Sequence, residues 1–163
     1  MKSNLFLTVF ALILISLCFS CDTTDPEPCD IIGGSGIPSI AINTFTNYGS
    51  STNTFNIKGE VKHINRCDYF VAVYIHIPID NFGWVIKPYS DFPKTYILPD
   101  GRWELEFTLN NANRNDVYAD TIRAFLFSKQ KFLGNDSLTI VGGVLPDYLY
   151  NNCIALKDTL RKN

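Results

Sequence analysis

The side chains best suited to recognition chemistry are aromatic, and they gather near the middle of the chain. Flat rings stack against the C–H faces of sugars, and polar groups beside them fix the orientation of a ligand. Trp84 directly follows a turn glycine and is the strongest candidate. An alternative places Trp84 over one end of a hydrophobic core. The predicted ligand-binding set is Trp84, Lys87, Tyr89, Asp91, Phe92 and Tyr96.

No arrangement of side chains in the sequence is typical of an enzyme. His63 and His76 are the only histidines, and a lone histidine in a strand-like segment is more often structural than catalytic. A glycosidase needs two carboxylates that face one cleft, whereas Asp80 and Asp100 lie in turn-like segments. No cysteines have the spacing of a zinc site, and no cofactor motif is present. We therefore predict a non-catalytic protein without metal or cofactor.

The N-terminal residues form an apolar segment that ends at a cysteine. After Lys2, an apolar run covers residues 5–19. A membrane-spanning helix needs about 20 apolar residues, so the run better suits a signal-peptide core. Ser20 and Cys21 then resemble the lipobox of bacterial lipoproteins, in which a small residue precedes the cysteine that receives a diacylglyceryl group. Cys18 departs from that pattern, because Leu, Val or Ile is usual there. The resemblance implies lipidation of Cys21, and the alternatives are an ordinary cleaved signal and an uncleaved anchor helix.

This resemblance implies an exported protein held at a membrane. Residues 1–20 would form the signal peptide, and residues 21–37, with their prolines, glycines and acidic side chains, are predicted to be a lipidated flexible tether. Residues 38–163 then form one domain, which is long enough to bury a core. We expect outer-membrane anchoring through acylated Cys21, in the periplasm or on the cell surface. The net charge of −2 and the absence of a basic cluster argue against nucleic-acid binding.

Three cysteines remain once the signal peptide and Cys21 are set aside. An odd number in an exported protein leaves two possibilities, one disulfide with one free thiol or no disulfide. Cys67 and Cys153 each precede an apolar strand-like segment, whereas Cys29 lies in the predicted tether. We therefore expect a disulfide between Cys67 and Cys153.

The elements that position these residues have the pattern of β-strands. Apolar and polar side chains alternate in short segments separated by Gly, Pro, Asn and Asp, and no long amphipathic helix is indicated. Residues 69–77 are nearly continuous in β-branched and aromatic residues, which predicts a central strand covered on both faces, with Tyr74 turned to the core. Trp103 alternates with polar residues and is also predicted to be core. The strand-like segments are 39–45, 55–61, 69–77, 84–87, 103–109, 121–127 and 154–160.

About seven short strands with turn signals between them predict an all-β fold, an antiparallel β-sandwich. Immunoglobulin-like and jelly-roll topologies both fit the pattern. A single helical turn is predicted between Leu145 and Tyr150.

Several short motifs are spread over roughly residues 40–160. They are Val71–Ile75, Gly83-Trp84, Lys87-Pro88, Asp100–Trp103, Ile122–Leu126, Tyr48-Gly49 and Leu145-Pro146. Together they resemble a small β module of bacterial secreted proteins that often stands beside glycoside hydrolase domains, although Val85 replaces the second tryptophan of the module's Gly-Trp-Trp motif. The resemblance implies an accessory or binding role, and our leading hypothesis is that the ligand is a polysaccharide. The alternative is a structural or assembly lipoprotein that binds another protein of the cell envelope.

Overall fold

A computed structural model describes residues 29–47, 54–79, 82–88, 93–108, 114–132, 138 and 143–160. Over these residues the predicted all-β fold is confirmed, since antiparallel sheets pack against each other. The helical elements of the described ranges are two 3-10 helices, Arg66–Asp68 and Arg114–Tyr118, and the short helix α1, Asp147–Asn152. The strands are β1 (Ile31–Ile32), β2 (Ser39–Asn47), β3 (Thr54–Lys62), β4 (Ile64–Asn65), β5 (Tyr69–Ile77), β6 (Gly83–Lys87), β7 (Arg102–Thr108), β8 (Thr121–Ser128) and β9 (Cys153–Leu160).

Two antiparallel sheets form the sandwich. One has three strands in the order β2-β3-β7, and the other has four in the order β6-β5-β8-β9. These longer strands match the segments expected from the sequence to within about two residues, the usual uncertainty of strand ends. The additional strands β1 and β4 have two residues each and pair with one another.

The space between the two sheets is filled by the apolar face that the alternation predicts. Val73 and Ile75 of β5 meet Ile57 and Trp103 of the three-stranded sheet, and all four are fully buried. Trp103 is therefore a core residue, as predicted. Its indole lies directly over Gly59, where a Cβ atom would collide with the ring. The absence of a side chain at Gly59 allows this close packing.

The opposite face of the four-stranded sheet is also covered. Phe70 and Phe125 pack there beneath Leu149 of α1, and all three are buried. Tyr74 lies in the same layer, where its hydroxyl donates to the carbonyl oxygen of Leu138 at 2.7 Å. Burial raises the pKa of Tyr74 well above its usual value. Strand β5 is thus covered on both faces, as its composition predicts.

The first described residues belong to the folded domain, which corrects the predicted boundary. Cys29 is joined to Cys67 by a disulfide with a Cα–Cα distance of 5.5 Å. Strand β1 pairs with β4, and the amide of His63 donates to the carbonyl of Ile32 at 2.6 Å. The prediction of a flexible tether is therefore wrong for residues 29–37, while residues 21–28 lie outside the described ranges. Within those ranges, no helix has the length and apolar character needed to cross a membrane.

The expected disulfide between Cys67 and Cys153 is also wrong. Cys153 begins β9, where it pairs with Phe127 of β8, and its thiol is free. Burial raises the pKa of this thiol. Because the β1–β4 pairing brings Cys29 beside Cys67, the disulfide closes the N-terminal segment onto the domain and leaves Cys153 unpaired.

The two ends of the sandwich carry different features. At the disulfide end, β5 begins beside Cys67, and the β1–β4 pair lies next to the starts of β2 and β7. At the far end, β5 finishes at Ile77, which pairs with the start of β6 at Gly83. Strand β5 has nine residues, so at roughly 3.4 Å per residue about 27 Å separate the two ends.

Candidate functional site

The structure separates the residues that the sequence grouped into one binding set. Trp84 lies on the covered face of the four-stranded sheet, Lys87 lies in the interior, and Tyr96 lies at an exposed edge of the sandwich. Their positions along the chain are close, but the strand and the connector that carry them direct them to different parts of the molecule. The predicted site residues that lie outside the described ranges are Cys21, Tyr89, Asp91 and Phe92.

Trp84 is held by neighbouring side chains of the same sheet. It pairs with His76 across β6 and β5, and the two ring centroids are 5.1 Å apart. The guanidinium of Arg123 lies 4.7 Å from the centroid of the Trp84 ring, in a cation–π contact. Trp84 is half-buried at the rim of the second hydrophobic layer. One face of the ring is therefore already occupied by a cation of the protein.

Arg123 is itself fixed by several partners. It forms a bidentate pair with Asp158 of β9, and it also donates to the hydroxyl of Tyr150. The hydrogen bonds with Asp158 hold the pKa of Arg123 above its usual value. We call Trp84, His76, Arg123, Tyr150 and Asp158 the Trp84 cluster. Within the cluster, Asp158 neutralises the charge of Arg123. The guanidinium is bound by Asp158, by the hydroxyl of Tyr150 and by the ring of Trp84.

His76 extends the network of the Trp84 cluster towards the far end. Its Nδ1 atom lies 2.9 Å from Oδ1 of Asp120, the residue before β8. Burial raises the pKa of Asp120, but hydrogen bonds from His76 and Thr121 outweigh that effect and leave it below its usual value. Asp120 is thus an ionised acceptor that orients the imidazole ring beside Trp84.

Lys87 cannot serve as the polar ligand contact that the sequence predicts. It is 2% exposed and forms an ion pair with Asp116, which is 3% exposed. Its ammonium also lies 5.3 Å from the centroid of the Phe107 ring. Desolvation raises the pKa of Asp116, and the neighbouring ammonium opposes that rise. The pair joins the end of β6 to the second 3-10 helix in the interior, so the predicted role of Lys87 is wrong.

Residues 93–101, which we call the connector before β7, bridge the two sheets at their edge. Thr95 exchanges two backbone hydrogen bonds with Val71 of β5, at 3.0 and 2.8 Å. Ile97 forms a bridge with Trp103 of β7, in the other sheet. The connector is extended here, so its side chains alternate between inside and outside. Thr95 and Ile97 are buried, whereas Tyr96 between them is 78% exposed.

This connector forms one wall of a surface groove, which we call the edge groove. Its volume is about 280 Å³. One wall comes from the segment around Tyr96 and the other from β7, so the groove runs along the edge of the sandwich. It combines an exposed ring with two carboxylates and an ammonium. The lining residues are Pro88, Lys94, Thr95, Tyr96, Leu98, Glu104, Leu105 and Glu106.

Neighbouring side chains stabilise the ionised form of Glu104 in the edge groove. The side-chain amide of Asn56 donates to it, and the ammonium of Lys58 lies 2.8 Å from its Oε1 atom. These contacts, the hydrogen bond from Asn56 first, hold the pKa of Glu104 below its usual value. The carboxylate therefore stays charged at neutral pH and can accept hydrogen bonds from a ligand.

Thr95 lies beneath the edge groove and carries a buried polar group. The residue is 5% exposed, and among the described residues its hydroxyl has no hydrogen-bond partner. Buried polar groups are nearly always hydrogen-bonded, and an unpaired one costs about 1–3 kcal/mol. Because the hydroxyl oxygen is itself buried, it lowers the stability of the wall of the groove and is not a contact for a ligand in the groove.

No protein-family model, curated protein or solved structure matches the chain. In the part of the chain that the structure describes, no three His, Cys, Asp or Glu side chains are placed to hold a metal ion. Sequence reasoning found Tyr96 but missed Thr95, Glu104 and Glu106, which have no turn signal or aromatic ring to single them out.

Proposed function

We propose that the protein is a membrane-tethered, non-catalytic binding lipoprotein whose edge groove holds a glycan. The observation that carries this proposal is the pairing of exposed Tyr96 with the ionised carboxylate of Glu104 in one groove. An aromatic face with convergent polar groups is the combination that carbohydrate recognition requires.

The groove supplies each type of contact that a sugar ring needs. The ring's C–H face would stack on Tyr96, and its hydroxyls would donate to the carboxylates of Glu104 and Glu106. Ligand pockets usually measure about 300–1,000 Å³, so a groove of 280 Å³ suits a short segment of a chain. Longer glycans would extend along the edge of the sandwich.

The N-terminal resemblance supports the membrane attachment in this proposal. Lipidation of Cys21 would keep the domain at a membrane, because each buried methylene contributes about 0.8 kcal/mol and several acyl chains hold a protein firmly. The motifs shared with accessory modules of bacterial secreted proteins support a binding role. A tether would raise the concentration of the binding domain where glycans reach the cell envelope, without need of a catalytic site in this domain.

The test compares two exposed tyrosines. Tyr96→Ala should weaken the binding of a glycan, selected from a panel with the wild-type protein, by about tenfold, since one aromatic stacking contact is lost. Tyr118→Ala is the matched control, because Tyr118 is 59% exposed but does not line the groove. Affinity would be measured by isothermal titration, and circular dichroism would confirm that both variants fold.

Two results would contradict the proposal. Equal loss of affinity in Tyr96→Ala and Tyr118→Ala would place the ligand outside the groove. Failure of the wild-type protein to bind any glycan would favour the alternative, an assembly lipoprotein that binds another envelope protein. The edge strand β9, with Leu160 74% exposed, offers a surface for such a partner.

A further inference from the structure

We propose that the disulfide end of the sandwich lies against the membrane, with Ile31 and Ile37 in contact with the bilayer. This inference rests on the proposed lipidation of Cys21 and is independent of the glycan. It assigns an interaction surface to the loop between β1 and β2, which the sequence alone places in a flexible tether. The partner is the lipid surface that would hold the acyl chains of Cys21.

The disulfide determines which end of the domain is near the lipid. Cys29 is fixed to Cys67 at the disulfide end, so the chain leaves the domain there. Only residues 22–28 separate Cys21 from Cys29. Even fully extended, eight peptide steps reach no more than about 29 Å. The disulfide end can therefore touch the bilayer with the linker slack, whereas the far end, about 27 Å further along β5, reaches it only when the linker is almost fully extended.

The loop next to that attachment exposes two large aliphatic side chains. Ile31 is 66% exposed, and Ile37 is 86% exposed. The backbone between them is held in place by the pairing of β1 with β4, and Gly33 and Gly34 adopt positive φ angles of 73° and 69°. A fixed loop presents these side chains without a further loss of conformational entropy on binding. Their apolar surface would be removed from water at the acyl boundary of the bilayer.

The charges at the disulfide end are of both signs, which favours an apolar contact with the bilayer over an electrostatic one. Lys62 lies 3.3 Å from Glu60, and the exposed carboxylate of Asp30 lies beside Ile31. These charges are of both signs, so anionic lipids would attract this end only weakly. The proposed contact should therefore change little with ionic strength, unlike a contact made by a basic cluster.

Exposed apolar side chains also occur at the far end, and one of them is a matched control. Val144 is 88% exposed. It follows Gly143, whose backbone exchanges hydrogen bonds with Phe82 and Trp84 at the start of β6. Val144 is therefore as exposed and as apolar as Ile37 but lies at the end that reaches the lipid only when the tether is almost fully extended.

The experiment uses the full-length chain, produced with its signal peptide and reconstituted into vesicles of phosphatidylethanolamine and phosphatidylglycerol. Ile37→Cys and Val144→Cys, each with Cys153→Ser to remove the free thiol, are labelled with an environment-sensitive fluorophore. A nitroxide quencher in the acyl region should quench the label at position 37 at least threefold more than the label at position 144. The difference should persist in 0.5 M salt, conditions under which surface electrostatics are screened over about 4 Å.

Each other outcome contradicts a definite part of the inference. Equal quenching, or stronger quenching at position 144, would overturn the orientation. The mass of the N-terminal peptide, measured on the same sample, reports the lipid on Cys21. If the lipid is present and position 37 is unquenched, only the orientation is wrong, and the tethered function stands. If the lipid is absent, both the tether and the orientation are wrong.

Discussion

The Trp84 cluster and the edge groove each contain an aromatic residue that the sequence nominated for binding, yet their surroundings differ. In the cluster, the cation of Arg123 lies over Trp84 and is itself paired with Asp158. In the groove, Tyr96 is 78% exposed, and the side chains of Glu104 and Glu106 are exposed beside it. One region covers its ring with a cation of the protein, and the other leaves its ring and carboxylates open to solvent.

This difference separates a structural aromatic residue from a proposed binding residue. Trp84 stands directly after a glycine in a hairpin-like segment, which made it the strongest sequence candidate. Its contacts with Arg123, which pairs with Asp158, connect β6, β8 and β9 on one face of the sheet. We therefore interpret Trp84 as a structural residue, the alternative that the sequence left open, and the proposed recognition site rests on Tyr96.

The largest expected effect comes from the buried pair that lies between the two regions. Lys87 ends β6, three residues after Trp84, and Pro88 lines the edge groove. Lys87→Met should lower the free energy of unfolding by about 3–5 kcal/mol, because it leaves the carboxylate of Asp116 buried without its partner. Urea denaturation followed by tryptophan fluorescence would measure the change.

Two variants sharpen that result. Lys62→Met breaks an exposed ion pair with Glu60 and should cost less than about 1 kcal/mol. Adding Asp116→Leu to Lys87→Met replaces the buried pair by apolar groups and should recover much of the lost stability. A loss as small as that of Lys62→Met would mean that water reaches the Lys87–Asp116 pair in solution.

A smaller effect is expected from Trp84→Ala, and it should act on stability alone. Truncation of a fully buried tryptophan costs about 3–5 kcal/mol, and Trp84 is only half-buried. We expect a loss of about 2 kcal/mol in unfolding free energy, with glycan affinity unchanged at temperatures where the variant is folded. Trp84→Phe keeps an aromatic ring under Arg123 and should lose less. Loss of glycan affinity in folded Trp84→Ala would mean that Trp84 contacts the glycan.

The strands could be predicted from the sequence because their pattern is local. Alternating side chains report which face of a strand is buried, and the segment predicted for β5 coincides with Tyr69–Ile77. The disulfide could not be predicted in this way. Its geometry depends on β1 pairing with β4, which are separated by more than thirty residues, and the glycines between Gly33 and Gly36 resemble those of a linker.

The candidate site was only partly accessible from the sequence for the same reason. Lys87 looked like an exposed polar residue beside a proline, but its partner Asp116 is 29 residues away along the chain. The edge groove likewise combines Tyr96 from a connector with Glu104 from β7. Residue types suggest which side chains can contact a sugar. Whether those side chains come together in one groove depends on how the two sheets meet at an edge.

The smallest expected effect concerns the buried hydroxyl beneath the edge groove. Thr95→Val removes the hydroxyl and keeps the shape of the side chain, so unfolding free energy should be unchanged or rise by up to about 1 kcal/mol. Glycan affinity should stay the same, because the hydroxyl oxygen is buried beneath the groove and does not contact the ligand. Thr95→Ser retains the hydroxyl and is the matched control. If Thr95→Val instead destabilises the protein, the hydroxyl has a partner inside the protein, whereas a loss of affinity in the folded variant would mean that the ligand reaches the hydroxyl.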